Sequence, residues 1–350
     1  MPSAKTTSRS SLALANLRGI VILIVLAFHS ALAYLQWNPT TPAAFDSPPY
    51  NWRAFPIIDS QRFFGFDLFC AWQDVYLMAL MFFLSGLFVW PSLQRKGDWG
   101  FLRDRVMRLG LPYAFGIFLI IPVAIYPAYS VTAADPSVAA YWQALLALPF
   151  WPNGPLWFLW QLVALNIIAT FVHWIAPGAI VALGRRAAEL GKQPAKFYAA
   201  LVAVAAVAYV PLALAFTPWA WSNAGIFAVQ LCRPLLYAVF FFAGVGISVD
   251  GIERGLVASD GALARRWSIW LGTALGTLFL WMGLTALTMN GHAPIVVQAA
   301  SDFAFVFACG AGSFFLVAVC LRFATARSRV LDSLAGNAYS LYLEIGRAHV

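Results

Sequence analysis

Apolar segments of about twenty residues recur along this chain and leave little sequence for anything else. Eight of them lie at 12–35, 74–92, 107–128, 156–176, 197–217, 231–249, 267–289 and 300–321. A ninth begins near Leu334 and is cut off by the end of the chain. A helix needs roughly twenty apolar residues to cross the hydrocarbon core of a bilayer. The pattern therefore predicts an all-α, polytopic transmembrane helical bundle of about nine spans, the last of them truncated.

The composition agrees with a membrane protein and excludes other classes. Hydrophobic residues make up 62% of the chain and charged residues only 10%, whereas soluble domains carry about 25% charged residues. The net charge of +8 does not indicate nucleic-acid binding, because the basic residues are confined to particular loops. The four cysteines are scattered without the close spacing of a metal or redox site.

Basic residues alternate between the two sides of this predicted bundle. All but four of the 22 Lys and Arg residues fall in the amino-terminal segment or in every second loop, the exceptions being Arg53, Arg62, Arg233 and Arg347. Loops rich in Lys and Arg remain on the cytoplasmic side. The distribution predicts a multi-pass protein with a cytoplasmic amino terminus. The expected location is the plasma (inner) membrane.

The first apolar segment has a second interpretation. Ala31, Leu32 and Ala33 fit a small-residue cleavage site behind basic residues, as in a signal peptide. The run is long for a signal peptide and many spans follow it. We therefore interpret it as the first membrane helix.

Three stretches outside the spans carry separate expectations. Residues 1–11 are polar and are predicted to form a disordered cytoplasmic tail. Residues 36–72 form a long loop rich in proline and aromatic residues, with no assigned role. Residues 344–350 interrupt an apolar run with charged residues and are expected to be a non-native tail. The natural protein is accordingly expected to be longer.

Arg18 and His29 are the most informative pair in the first span. They are eleven residues apart, which on an α-helix is three turns plus roughly 20° and a rise of ~16 Å. Both side chains therefore lie on one helix face, one near the membrane surface and one at depth. Ionisable residues inside a membrane are usually functional, and a histidine can accept a proton near neutral pH. His29 is our candidate general base, although a histidine hydrogen-bonded between helices is an equally simple reading.

Arg105 and Arg108 precede the third span and lie three residues apart. On a helix they share a face and could hold one phosphate together with Arg18. Each arginine alone is more simply read as a membrane-flanking residue.

Other polar residues inside spans are candidates for supporting roles. Gln161 lies about one turn deeper than Trp157, which we place at the membrane interface, and Asp302 falls in the outer turns of the eighth span. Asp302 could orient His29 or could be an interfacial carboxylate in water. Ser85 and Gly86 form a small pair in the second span that favours close helix packing, and Ser85 lacks the flanking residues of a nucleophile elbow.

Several of these stretches resemble the acyltransferase-3 family of integral membrane acyltransferases, particularly its branch related to glucan-modifying enzymes. They are Arg18 with His29, Phe82-Phe83-Leu84-Ser85-Gly86, Arg105 with Arg108, Trp157-Phe158-Leu159 and Ala338-Tyr339-Ser340-Leu341-Tyr342-Leu343. Their order and spacing cover nearly the whole chain. The resemblance therefore implies a membrane acyltransferase domain over residues 12–343.

The resemblance implies transfer of a short acyl group, of acetyl or succinyl type, from cytoplasmic acyl-CoA to a carbohydrate hydroxyl at the outer membrane face. Arg18, Arg105 and Arg108 would bind the donor phosphates and His29 would be the base. The implied partners are acyl-CoA, the carbohydrate acceptor and membrane lipid, with no cofactor, metal or nucleic acid. The family's final helix and its His-Pro element are missing, so an inactive chain stays open.

Two other classes of function stay open as well. In a proton-coupled transporter or flippase, His29 and Asp302 would form a proton relay. Such transporters tend to consist of two similar halves with broken helices, and the sequence shows no internal repeat. A catalytically inactive sensor or scaffold is the third reading.

Overall fold

A computed structural model gives the architecture and describes residues 8–289 and 291–336. Its helices, numbered α1 to α15 in chain order, are Arg9–Ala31, Phe64–Gly86, Val89–Arg105, Leu111–Phe115, Ile121–Ala124, Tyr126–Ser130, Val138–Ala147, Trp157–Ile175, Pro177–Gly191, Pro194–Phe216, Pro234–Asp250, Ala262–Arg265, Trp267–Thr288, Ile295–Phe323 and Arg329–Gly336. Short 3-10 turns lie at Leu32–Tyr34, Asn51–Arg53, Gly154–Leu156 and Gly255–Val257, and π turns at Val106–Gly110 and Gly116–Ile120. The strands β1 (Trp221–Ala224) and β2 (Phe227–Gln230) pair as an antiparallel hairpin.

The predicted all-α membrane bundle is confirmed. Within the described residues, 7 helical stretches are long and apolar enough to cross a bilayer. The number becomes 8 if α11 and the segment Gly255–Arg265, bent by 91° from it, count as one span. The predicted ninth span, from about Leu334, lies almost entirely outside the described residues.

Two predicted boundaries at the start of the chain are wrong. The first helix begins at Arg9 rather than Leu12, because the Ser8 side chain caps it by accepting a hydrogen bond from the Ser11 N–H at 3.2 Å. Residues 9–11 of the predicted disordered tail are therefore helical. Helix α2 begins at Phe64 rather than near residue 74, which shortens the predicted 36–72 loop to 36–63.

The third predicted span is part of a much longer helical stretch with a bend in it. Residues Val89–Ser130 are one candidate span, whereas the hydropathy pattern indicated only 107–128. The polar residues before 107 extend the helix instead of forming a loop, since Lys, Arg and Leu are good helix formers. One bend interrupts this stretch at Gly97, whose φ of 68° lies in the left-handed region.

The loop 36–63 is folded against α7 and the hairpin. Phe45 stacks on Trp52 with ring centroids 4.6 Å apart, and the Trp52 indole N–H donates to the Phe45 carbonyl at 3.1 Å. Arg53 donates to the Asn223 side chain at 2.9 Å and lies 4.3 Å from the centre of the Phe150 ring. Burial lowers the pKa of the Arg53 guanidinium from its ordinary value. These three elements form a closed cap at the end of the bundle away from most basic loops.

Small residues let α2 and α11 pack closely. A Cβ atom built at Gly86 would lie 2.1 Å from the Phe241 carbonyl oxygen, and one at Gly244 would lie 2.2 Å from the Phe83 carbonyl oxygen. The close packing expected of the Ser85–Gly86 pair is therefore confirmed for Gly86. Helix α14 lies deepest in the bundle, with 78% of its most apolar window buried, while α13 covers it from outside and is only 17% buried.

Candidate functional site

A cavity of about 250 Å³ lies between α1, α2, α3 and α8. Its lining residues come from these helices and from the two turns that follow α2 and α3. They are Arg18, Val21, Ile22, Met81, Leu84, Ser85, Phe88, Ser92, Arg95, Lys96, Phe101, Asp104, Arg105, Arg108, Phe158, Leu159 and Leu162. We call this space the cationic cavity.

Cations outnumber acids among the lining residues that the structure describes. Five are Lys or Arg, namely Arg18, Arg95, Lys96, Arg105 and Arg108, whereas Asp104 is the one acid. The three arginines predicted to meet, one from α1 and two from beside α3, are therefore brought to one space. Excess positive charge in a partly enclosed space favours an anionic ligand.

Two of the arginines rest on aromatic rings. The Arg18 guanidinium carbon lies 4.8 Å from the centre of the Phe88 ring, and that of Arg105 lies 4.9 Å from the centre of the Phe101 ring. The N–H donors of a guanidinium lie in its plane, so a guanidinium that packs its face on a ring directs these donors outward from its edge. This arrangement restricts the orientation of the donor fork, which suits bidentate binding of phosphate.

The bend in α3 is anchored to α8 at the same end of the bundle. Asp98, next to Gly97, contacts the His173 Nδ1 atom through its Oδ1 atom at 2.6 Å. The His173 ring packs edge-on against Trp90, with centroids 5.7 Å apart. The arm of α3 that carries Arg95 and Lys96 is thereby fixed beside the cavity.

The remaining wall of the cavity is apolar. Val21 and Ile22 lie about one turn beyond Arg18 on α1, and Met81, Leu84 and Phe158 face the same space from α2 and α8. Ser85 also lines it. The cavity thus combines a cluster of cations with an apolar surface, which fits a ligand with one anionic part and one uncharged part.

In the part of the chain that the structure describes, His29 is not among the residues that line this cavity. It follows Ile22 by seven residues on α1, a rise of about 10 Å, and the nearly buried Val25 (2% exposed) lies between them. The His29 Nδ1 atom lies 2.8 Å from the Val25 carbonyl oxygen. Because a carbonyl can only accept, Nδ1 donates here.

The comparison with known families rests on nearly the whole chain. The family model described as "Acyltransferase domain" (Acyl_transf_3) matches residues 12–343. The chain belongs to the acyltransferase-3 family. It is therefore a multi-pass membrane protein with an acyltransferase domain. No curated protein and no solved structure matches the chain.

The three supporting candidates lie elsewhere in this acyltransferase-3 fold. Trp157 is half-buried and stacks on Tyr237 at 5.8 Å, with Trp221 of the hairpin against its edge at 5.7 Å, so it packs within the bundle. Gln161 and Asp302 are nearly buried, at 6% and 5% exposed. None of the three is among the described lining residues of the cationic cavity.

An ion pair that the sequence did not reveal lies near Asp302. Arg233, just before α11, donates to both carboxylate oxygens of Asp74 on α2, at 2.9 and 2.5 Å. Its guanidinium carbon lies 5.1 Å from the centre of the Phe305 ring, and its side chain is only 4% exposed. Phe305 follows Asp302 by three residues on α14, about one helical turn. We call the Arg233–Asp74 pair the buried ion pair, after its buried arginine; the Asp74 side chain is 39% exposed.

Proposed function

We propose that this acyltransferase-3 protein moves a short acyl group, of acetyl or succinyl type, from acyl-CoA to a hydroxyl of a carbohydrate acceptor. The observation that supports this donor is the cationic cavity. Acyl-CoA carries phosphates at one end and an uncharged pantetheine arm, which ends in the acyl thioester, at the other. Five cations beside an apolar wall offer complementary surfaces to both parts.

In this proposal Arg18, Arg105 and Arg108 bind the donor phosphates through charge-assisted hydrogen bonds. The apolar wall receives the acyl arm. A cavity of about 250 Å³ is slightly below the ~300–1,000 Å³ usual for ligand pockets. That size suits a donor whose arm enters while its charged portion remains near the opening.

The basic loops give the orientation. Loops rich in Lys and Arg remain in the cytoplasm, so the end of the bundle with Arg95, Arg105 and Arg108 faces the compartment that contains acyl-CoA. The folded cap then faces outward, where a glycan acceptor is available. The proposed location is the plasma membrane.

His29 acts as the general base in this scheme. Its Nδ1 donates to the Val25 carbonyl, and the imidazole takes the proton from the acceptor hydroxyl. The hydroxyl oxygen forms the new ester bond with the donor carbonyl carbon, and the carbon–sulfur bond breaks. The thiolate of coenzyme A leaves and takes up a proton. Because His29 lies about 10 Å beyond Ile22, the acyl group must extend past Val25 to reach it.

The test compares His29→Ala with His292→Ala, a matched change at an exposed histidine between α13 and α14. Acyl transfer to the sugar acceptor, followed by thiol release in proteoliposomes, should fall by about 10²- to 10⁴-fold in His29→Ala alone. The Tm and coenzyme A affinity of both variants should match those of the unmodified chain.

Retained acyl transfer in folded His29→Ala protein would contradict the mechanism. A lowered Tm would instead indicate a structural hydrogen bond of His29. Loss of pH-driven uptake with unchanged acyl transfer would favour the transporter interpretation.

A further inference from the structure

Lys96 and Asp104 form an ion pair inside the lining of the cationic cavity. The Lys96 ammonium contacts the Asp104 carboxylate, and the two side chains are 29% and 39% exposed. Asp104 immediately precedes Arg105 in the sequence and lies about one turn before Arg108. The one acid among the described lining residues is therefore close in sequence to two of the cations that the proposed function assigns to the donor phosphates.

This pair depends on the bend at Gly97. Lys96 and Asp104 are eight residues apart, which on a straight helix would separate them by ~12 Å along the axis. Gly97 has a φ of 68° and a ψ of 172°, so the chain turns back and the two side chains meet. A Cβ atom at Gly97 would have nothing within 4 Å, so the glycine serves the backbone conformation and not a close contact.

In the Lys96–Asp104 ion pair, a phosphate can replace the Asp104 carboxylate as the partner of Lys96. Ion pairs between partly exposed side chains are weak, and a monoester phosphate carries about −1.5 to −2 charges at neutral pH, more than a carboxylate. A phosphate that enters the cavity can therefore compete with Asp104 for the Lys96 ammonium. The flexible four-carbon stem of lysine allows the ammonium to move without a backbone change.

We propose that the Lys96 ammonium pairs with Asp104 when no donor is bound. When the donor binds, its monoester phosphate replaces Asp104 as the partner of Lys96. Lys96 is then a further phosphate ligand, and Asp104 is a residue that limits donor affinity. This inference rests on the proposed function, because the cavity must bind acyl-CoA. It deepens that proposal by assigning the donor's phosphomonoester to Lys96.

A double-mutant cycle on the full chain in nanodiscs tests the exchange, with coenzyme A affinity measured by calorimetry. Asp104→Asn should tighten coenzyme A binding by about five-fold, because the pair no longer has to be broken. In the Lys96→Met background the same change should give a clearly smaller gain, since only repulsion by Asp104 is removed. Glu189→Gln, an equal charge change on the exposed face of α9, should leave the affinity unchanged.

The second probe is 3′-dephospho-coenzyme A, which lacks the monoester. With this ligand the gains in the two backgrounds should be equal. Equal gains with coenzyme A itself, or no gain at all, would overturn the exchange while leaving the proposed function in place. A coupling that persists with the dephospho probe would overturn the monoester assignment. If the unmodified chain does not bind coenzyme A, both this inference and the proposed donor fall together.

Discussion

The cationic cavity and the buried ion pair both use arginine inside a membrane bundle, with opposite results. In the cavity, five Lys and Arg side chains face one acid across a space of about 250 Å³. In the buried pair, one arginine is 4% exposed and is matched by one carboxylate through two hydrogen bonds. The first region offers positive charge to a ligand, and the second neutralises its charge within the protein.

We expect this difference to separate residues that bind a ligand from residues that stabilise the fold. The Arg233–Asp74 pair links α2 to the start of α11. A buried charge that loses its partner is strongly destabilising, and removal of Asp74 would leave the buried Arg233 unpaired. Charges that face a cavity keep contact with solvent, and their loss costs the fold little. Each prediction below tests one side of this contrast.

The largest effect is expected at Asp74. Asp74→Leu leaves the buried Arg233 guanidinium without its partner, and we expect a loss of about 3 kcal/mol in the free energy of unfolding, because the unpaired arginine is only 4% exposed. Unfolding in mixed micelles measures it. Arg233→Met combined with Asp74→Leu should recover most of the loss. An unchanged Tm in the single variant would show that the pair is not structural.

The next effect concerns ligand affinity. Arg105→Ala and Arg108→Ala should each weaken coenzyme A binding by about 10- to 100-fold, the equivalent of one lost charge-assisted hydrogen-bonded contact. Their Tm should stay close to that of the unmodified chain. Lysine at either position should restore only part of the affinity, because it lacks the bidentate fork. Full affinity in both alanine variants would reduce these arginines to membrane-flanking residues.

Salt should distinguish the two regions without a mutation. Raising the ionic strength from about 0.05 to 0.5 M shortens the screening length several-fold. Coenzyme A affinity should fall by several-fold, whereas the stability difference between Asp74→Leu and the unmodified chain should persist, because the buried Arg233 charge is screened little. Salt-independent coenzyme A binding would mean that the cavity cations do not contact the phosphates.

The smallest effect is expected when the pair in the cavity is removed. Lys96→Met and Asp104→Asn should leave the Tm almost unchanged, because both side chains are partly exposed. The matched comparison is the large loss of stability expected for Asp74→Leu. A Tm decrease of similar size in Lys96→Met would show that both pairs are structural and would remove the contrast between the two regions.

The sequence alone determined the class of this protein, because that class depends on local patterns. Apolar segments of bilayer length define a multi-pass helical protein without any knowledge of packing. Spacing along one helix likewise placed Arg105 and Arg108 on a common face. The family resemblance carried by short motifs was confirmed by the match over residues 12–343, whereas the roles assigned to His29 and the arginines stay predictions.

Only the tertiary structure decided which charges meet. Arg233 and Asp74 are 159 residues apart in the chain, and Lys96 reaches Asp104 because Gly97 bends the helix. The hydropathy pattern also missed α7, the hairpin and the polar residues before 107 in the helical stretch Val89–Ser130, since it detects only long apolar segments. Helical spacing predicted that His29 lies on the same face as Arg18. It could not show that Ile22 is the last described residue of α1 that lines the cavity, so that His29 lies beyond it. Packing between helices depends on contacts far apart in sequence, and a single helical period contains no information about them.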